Sequence, residues 1–222
     1  MGIDAETLGR SLLSAGLGIS MSDGGYHLRT ADLSHPVLWS WEAVMRHVLP
    51  SVKNDGDVLD IGCGAGVWLL HLWNAGYRNL HGIEPDPVLA EVSRSLHTMY
   101  GVKASIDENS SLAYEGGGIS LLTAYGCLFD IRRADVFREE ENQSTSLTPS
   151  EFLARSVELL GVGGFVAFDW YVRQETPYPG RSYFTMQEVL SSAPSELKEF
   201  LVMQRIYGGR EICLYVYRKQ AK

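Results

Sequence analysis

Asp57-Val-Leu-Asp-Ile-Gly-Cys-Gly-Ala-Gly66, followed by Val67-Trp-Leu-Leu-His-Leu-Trp-Asn-Ala-Gly76, reads as a buried strand, a glycine turn and a helix. Val58, Leu59 and Ile61 form the short apolar run of a parallel strand covered on both faces. Gly62, Gly64 and Gly66 then let the backbone turn tightly beside a ligand, because no Cβ blocks the approach. Val67, Leu69, Leu70, Leu72 and Trp73 recur at near-helical spacing as far as Gly76, so the helix aims its unpaired N-terminal N–H groups at the same ligand. This order predicts a cofactor of the adenosine type.

Two details narrow the choice. The glycines run Gly62-x-Gly64-x-Gly66 with Val67 where a dinucleotide fingerprint needs its last glycine, which disfavours a pyrophosphate cradle and an NAD-dependent oxidoreductase. Asp60 places a carboxylate at the strand end, where it would repel a diphosphate but suits a ligand carrying an amine and a sulfonium. Asp60-Ile-Gly-Cys-Gly-Ala-Gly66 resembles the first motif of class I S-adenosylmethionine (SAM)-dependent methyltransferases, and Gly82-Ile-Glu84-Pro-Asp-Pro resembles their second. The resemblance implies that Asp60, Gly62, Cys63, Gly64, Gly66 and Glu84 bind SAM and its product S-adenosylhomocysteine. It extends in element order over residues 34 to 218, and these two motifs carry it.

The chain has 222 residues, 45% of them hydrophobic and 21% charged, enough for one well-packed domain. We read residues 1–222 as a single domain, with 1–50 a helical cap and 51–222 the cofactor-binding core. A net charge of -8 and a pI near 5.2 argue against a nucleic-acid partner, since phosphate binding draws on clustered Lys and Arg. Cys63, Cys127 and Cys213 lie far apart with no C-x-x-C pair, which implies a reduced, cytoplasmic protein without a metal site. Neither a membrane span nor a signal peptide is expected.

Ahead of the glycine turn, one helix is predicted from Asp4 to Gly16 and a second opening at Ser34-His-Pro36 and stopping before Pro50. Its apolar surface comprises Leu38, Trp39, Trp41, Val44, Met45, Val48 and Leu49. By resemblance such segments fold over the cofactor, so Tyr26 and Trp41 are candidate acceptor contacts and His35 a candidate base. Glu84 ends the next strand, where a carboxylate can accept both hydroxyls of a ribose. Pro85 is placed at the adenine edge, and Asp86-Pro87 caps a helix with Val88, Leu89, Val92, Leu96 and Met99 inward.

Related enzymes hold the adenine amino group after the third strand, where Asp107, Glu108 and Asn109 stand; register favours Glu108 and strand-end geometry favours Asp107, so both remain open. Ile119 to Tyr125 is the fourth strand, and by resemblance carbonyls around Tyr125 hold the methionine amine. Asp130 follows at the acceptor rim, where the family commonly has a histidine, and is the first candidate to orient or deprotonate the acceptor. Residues 131 to 148, with Arg132 as a candidate acceptor contact, read as a mobile loop. Thr148-Pro-Ser-Glu151 and Thr185-Met-Gln-Glu188 are capping boxes. Between them Gly163 to Trp170 is a strand ending in Asp169, a candidate base, and Trp170, a candidate acceptor contact. Phe200 to Tyr207 and Glu211 to Arg218, joined by Gly208-Gly209, make a closing hairpin.

The predicted architecture is an α/β fold: a seven-stranded, mostly parallel sheet with an antiparallel C-terminal hairpin strand, helices on both faces and a helical cap. The expected activity is methyl transfer to an O, N or C nucleophile of a small molecule, by a monomer or homodimer. A non-methylating SAM-supported reaction and a silent partner subunit are the alternatives, since fold does not fix chemistry.

Overall fold

The structure, a computed structural model, describes residues 36–108, 114, 116–128, 147–171, 184–207 and 210–221. Seven strands make one sheet: β1 (Val58–Ile61), β2 (Leu80–Ile83), β3 (Ala104–Asp107), β4 (Ile119–Ala124), β5 (Leu160–Tyr171), β6 (Leu197–Tyr207) and β7 (Arg210–Lys219). Their order is β3-β2-β1-β4-β5-β7-β6, with β1 to β5 parallel and β7 antiparallel to both of its neighbours. The order reverses at β1 and β4, so the crevice beyond their carboxyl ends is where an open α/β sheet binds its ligand. No described helix is long and apolar enough to cross a membrane.

Five α-helices are described: α1 (Pro36–His47), α2 (Val67–Asn74), α3 (Pro87–Met99), α4 (Pro149–Leu159) and α5 (Met186–Ser191). Strand alternation assigns the two faces. Val58, Leu121, Phe165, Ala167, Leu214 and Val216 form one core with Trp41 and Val44 of α1, Val48 just after it, Trp68, Leu69 and Leu72 of α2, and Val92 and Leu96 of α3. Leu59, Ile61, Leu122, Val166, Phe168, Trp170, Tyr215 and Tyr217 form the other with Phe152 and Leu153 of α4 and Val189 of α5. Each wholly buried Leu or Phe contributes roughly 1.5–3 kcal/mol to this packing. The two layers hold the strand ends rigidly enough to present side chains at fixed spacing.

Capping chemistry sets the helix starts. Asp86 accepts from the Val88 and Leu89 amides with Pro87 in the first turn. Thr148–Glu151 and Thr185–Glu188 are complete capping boxes, with the Thr148 and Thr185 side chains on the N3 amides and the glutamates on the cap amides. Three inward-facing expectations fail: Met45 is 37% exposed, Val88 69% and Met99 56%. Val88 sits in the first turn of α3 and Met99 is its last residue. β5 begins at Leu160, directly after α4, earlier than the glycine-rich sequence suggests. The first predicted helix, residues 131–146 of the predicted loop and the Gly208-Gly209 turn lie outside the described residues.

Candidate functional site

The three turn glycines all take left-handed backbone, φ +66° at Gly62, +54° at Gly64 and +72° at Gly66. Space forbids side chains as well. A Cβ on Gly62 would stand 2.7 Å from the Cys127 Cβ, and one on Gly66 would stand 2.2 Å from the Ser93 hydroxyl and 2.7 Å from His97 Nε2. His97 is 3% exposed and its Nε2 lies 3.0 Å from the Gly66 carbonyl. A carbonyl only accepts, and burial lowers the imidazole pKa, so the neutral ring donates Nε2–H and props the turn from α3. Gly66 is the N-cap of α2 and no side chain caps that helix. The sequence pointed to the turn but not to Ser93 and His97 beneath it.

Two carboxylates flank this turn. Asp60, 3% exposed, accepts from Thr123 Oγ1 at 2.7 Å, and no described cation pairs with it. Burial pushes its carboxyl up to about 7, Thr123 pulls it back, and neighbouring Glu84 raises it further. Glu84, 6% exposed, accepts from the Gly64 amide at 2.8 Å and the Asp86 amide at 2.9 Å. Burial raises its pKa too, and the two amides oppose that. A carboxylate offers about four lone-pair sites, so two remain for other donors. The Glu84 amide donates to the Asp107 carbonyl, which locks the ends of β2 and β3 together.

The carboxyl ends of β4 and β5 complete the rim. Tyr125, 4% exposed, has a buried hydroxyl without a partner, and burial together with Asp60 and Asp169 raises its pKa well above the ordinary value. Trp68 meets Tyr125 edge-on with centroids 5.8 Å apart, and Trp41 stacks on Trp68 at 5.4 Å. The Nε1 atoms of Trp41 and Trp68 are likewise buried without partners. Asp169, 4% exposed, accepts from the Gly126 amide at 2.6 Å and from Ser40 Oγ at 3.1 Å. Burial brings its carboxyl up to about 6, against the pull of those two donors. Asp60, Thr123, Tyr125, Asp169, Trp41 and Trp68 therefore share one face of the sheet.

Other expected site residues separate from that group. Trp170 follows Asp169 in the strand and must point to the opposite face; it is 1% exposed, packed edge-on against Phe168 and Phe184. It is core and not an acceptor contact, and alternation alone could have said so. Trp41 stays with that group, 6% exposed, with ring contacts to Trp68 and His71. Glu108 pairs with Arg94 of α3 at 2.6 Å, and Asp107 is the last residue of β3. Pro85 is exposed beside Glu84. Cys63 is buried, and burial raises its thiol pKa well above the usual value. Tyr26, His35, Asn109, Asp130 and Arg132 lie outside the described residues. No described cluster of three His, Cys, Asp or Glu side chains is placed to hold a metal ion.

No protein-family model matches the chain. Among curated proteins, it is 38% identical over 64 residues to the tRNA U34 carboxymethyltransferase of Shewanella sp. (strain W3-18-1) and 40% identical over 64 residues to that of Shewanella loihica. Each match covers 29% of this chain, which spans only 18% of those relatives' length. Among solved structures, the geranyl diphosphate C-methyltransferase of Streptomyces coelicolor, determined with Mg2+, geranyl diphosphate and S-adenosyl-L-homocysteine, has a TM-score of 0.63 at 13% identity, over 92% of this chain and 87% of that one. The [4+2]-cyclase SpnF has a TM-score of 0.65 at 13% identity over 100% and 98% of the two chains. TehB from Haemophilus influenzae has a TM-score of 0.65 at 14% identity over 89% and 67%. With the strand order and the glycine turn, these likenesses define the fold as that of class I, Rossmann-like SAM-dependent methyltransferases.

Proposed function

We propose that this chain binds SAM and transfers its methyl group to an O, N or C nucleophile of a small molecule. The observation that carries the reading is Asp60: a buried carboxylate beside the glycine turn with no described cation to offset its burial. Holding such a group ionised is costly unless a positive ligand arrives, and SAM carries an ammonium and a sulfonium. A dinucleotide phosphate would worsen the same problem.

In this reading the Gly62 to Gly66 backbone takes the close approach of the cofactor, and the spare lone pairs of Glu84 accept the ribose hydroxyls. Asp107 or Glu108, with Asn109, is the acceptor for the adenine amino group. The Tyr125 carbonyl and Asp60 hold the cationic methionine end. Bound SAM supplies an electrophilic methyl group. The protein's share is to exclude water with the Trp41–Trp68–Tyr125 stack and to align the acceptor for in-line displacement. Asp130, with His35 as the other candidate, is the group to take the acceptor's proton where one must leave.

Incubation with methyl-labelled SAM and a panel of small-molecule acceptors tests the reading: label in a small product supports it, and a panel that stays unlabelled while the protein binds SAM refutes it. A second reading, a non-methylating reaction in a SAM-supported fold, is favoured by the end-to-end likeness to the cyclase SpnF. It predicts product formation without label. The short match to tRNA-acting enzymes makes an unmodified tRNA the control acceptor, and the net charge of -8 speaks against its labelling.

A further inference from the structure

We propose that Asp169 is a positioning residue, which ties α1 to the peptide after β4 and so aims the Tyr125 carbonyl at the cofactor, and that it does not serve as the base of the reaction. The inference rests on the SAM-binding reading for its purpose, though not for its geometry. Asp169 joins three elements distant in sequence: β5, which carries it; α1, through Ser40 Oγ at 3.1 Å; and the turn after β4, through the Gly126 amide at 2.6 Å. Ser40 is wholly buried, so its hydroxyl has little else to serve. The next residue, Trp41, stacks on Trp68, so the bond seats α1 where it closes the cofactor face.

The second bond sets a direction. In a trans peptide the Tyr125 C=O and the Gly126 N–H point opposite ways, and no described peptide is cis. Because Gly126 N–H is held on Asp169 of β5, the Tyr125 carbonyl faces away from Asp169. On that side of β4 the sheet continues into β1, which leads into the glycine turn. Gly126 takes φ +66°, a left-handed conformation that this anchoring maintains. Each oxygen of Asp169 already holds a donor from the protein, and both bonds favour the charged carboxylate, so taking up a proton, as a base must, would weaken the tie itself.

Among the described residues, the titratable groups facing Asp169 are Tyr125 from the end of β4 and, beyond it, Asp60 from β1. Its neighbour on α1 is Ser40 and its partner across β7 is Leu214, neither of which titrates near neutrality. At pH 7.5 Asp169, which burial brings up to about 6, is ionised and its bond to the Gly126 amide is charge-assisted.

Residue-resolved amide hydrogen exchange at pH 7.5, without cofactor, reads the tie directly. Asp169→Asn replaces one acceptor oxygen with a donor, and exchange at Gly126 and across residues 40–47 should quicken at least tenfold while β1 and β7 keep their protection. Ser40→Ala should quicken α1 alone, and it decides the matter where Asp169→Asn fails to fold. In parallel, SAM titration should show at least a fivefold weaker Kd for Asp169→Asn. Wild-type exchange rates in α1 for Ser40→Ala, or at Gly126 for Asp169→Asn, would overturn the proposal. So would an Asp169→Asn protein with native exchange and native SAM affinity but no turnover, since that is the behaviour of a base. Failure of the wild-type protein to bind SAM would refute the cofactor reading and leave the exchange result to stand alone.

Discussion

Replacing Asp60 with Asn should make the protein more stable and its cofactor binding weaker, in a way that depends on pH. Burial lifts the Asp60 carboxyl from 3.8 to about 7, so the folded state binds a proton that the unfolded state has released between those values. The sign follows from the raised folded pKa: the stability contributed by this group is full below about pH 4 and is lost as pH rises through 7. A shift of roughly 3 pKa units corresponds to about 4 kcal/mol at pH 8, of which roughly 3 kcal/mol is lost between pH 5 and pH 8. Asn fills the same volume, accepts from Thr123 Oγ1 as Asp60 does, and never ionises. Thermal melts of both proteins at pH 5 and pH 8 therefore should show a stabilised variant at pH 8. A gain of about 2 kcal/mol raises Tm by roughly 4–8 °C in a domain of this size, and the gain should shrink at pH 5. Adding SAM at pH 8 should raise the wild-type Tm by more than the variant's, because the cation offsets a charge the variant lacks. The reasoning is refuted if Asp60→Asn melts at or below wild type at pH 8, or if its advantage is the same at both pH values.

Further perturbations probe the same face. Gly66→Ala puts a methyl group within 2.2 Å of Ser93 Oγ in a left-handed position, so calorimetry should find SAM binding abolished, and circular dichroism should find the domain still folded but less stable by about 1–3 kcal/mol. His97→Phe removes the donor to the Gly66 carbonyl and should weaken SAM binding about tenfold, whereas His97→Gln, which restores an N–H, should recover most of it. Trp68→Ala removes the ring between Trp41 and Tyr125 and should cost about 3–5 kcal/mol in denaturant unfolding. Asp130→Asn should lower turnover at least a hundredfold with SAM affinity unchanged; turnover within a factor of about three would leave alignment to carry the reaction.

The parts of this fold that were legible in the sequence are those set by local chemistry. The glycine turn announces itself because only glycine takes three left-handed positions in five residues, and the boxes at Thr148 and Thr185 because their partners stand three residues apart. Glu84 was readable from its place at a strand end beside that turn. What escaped depends on contacts between distant segments. Ser40 meets Asp169 across 129 positions, Thr123 meets Asp60 across 63, and His97 reaches Gly66 across 31. No spacing rule connects them. The choice between Asp107 and Glu108 turns on a side chain distant in sequence: Arg94, about two turns into α3, pairs with Glu108. Trp170 was misread for a different reason: adjacency to Asp169 suggested a shared role, but successive strand residues face opposite ways.

The central claim is that the glycine turn and Glu84 hold SAM. Calorimetric titration of SAM into the wild-type protein and into Glu84→Ala at pH 7.5 tests it most directly. Glu84 keeps lone pairs for the ribose hydroxyls beyond those on the Gly64 and Asp86 amides, and such charge-assisted bonds contribute about 1.5–3 kcal/mol. The account predicts saturable one-to-one binding by the wild type and a roughly ten- to hundredfold loss of affinity in the variant. Absence of saturable binding by the wild type, or equal affinity in Glu84→Ala, would contradict it.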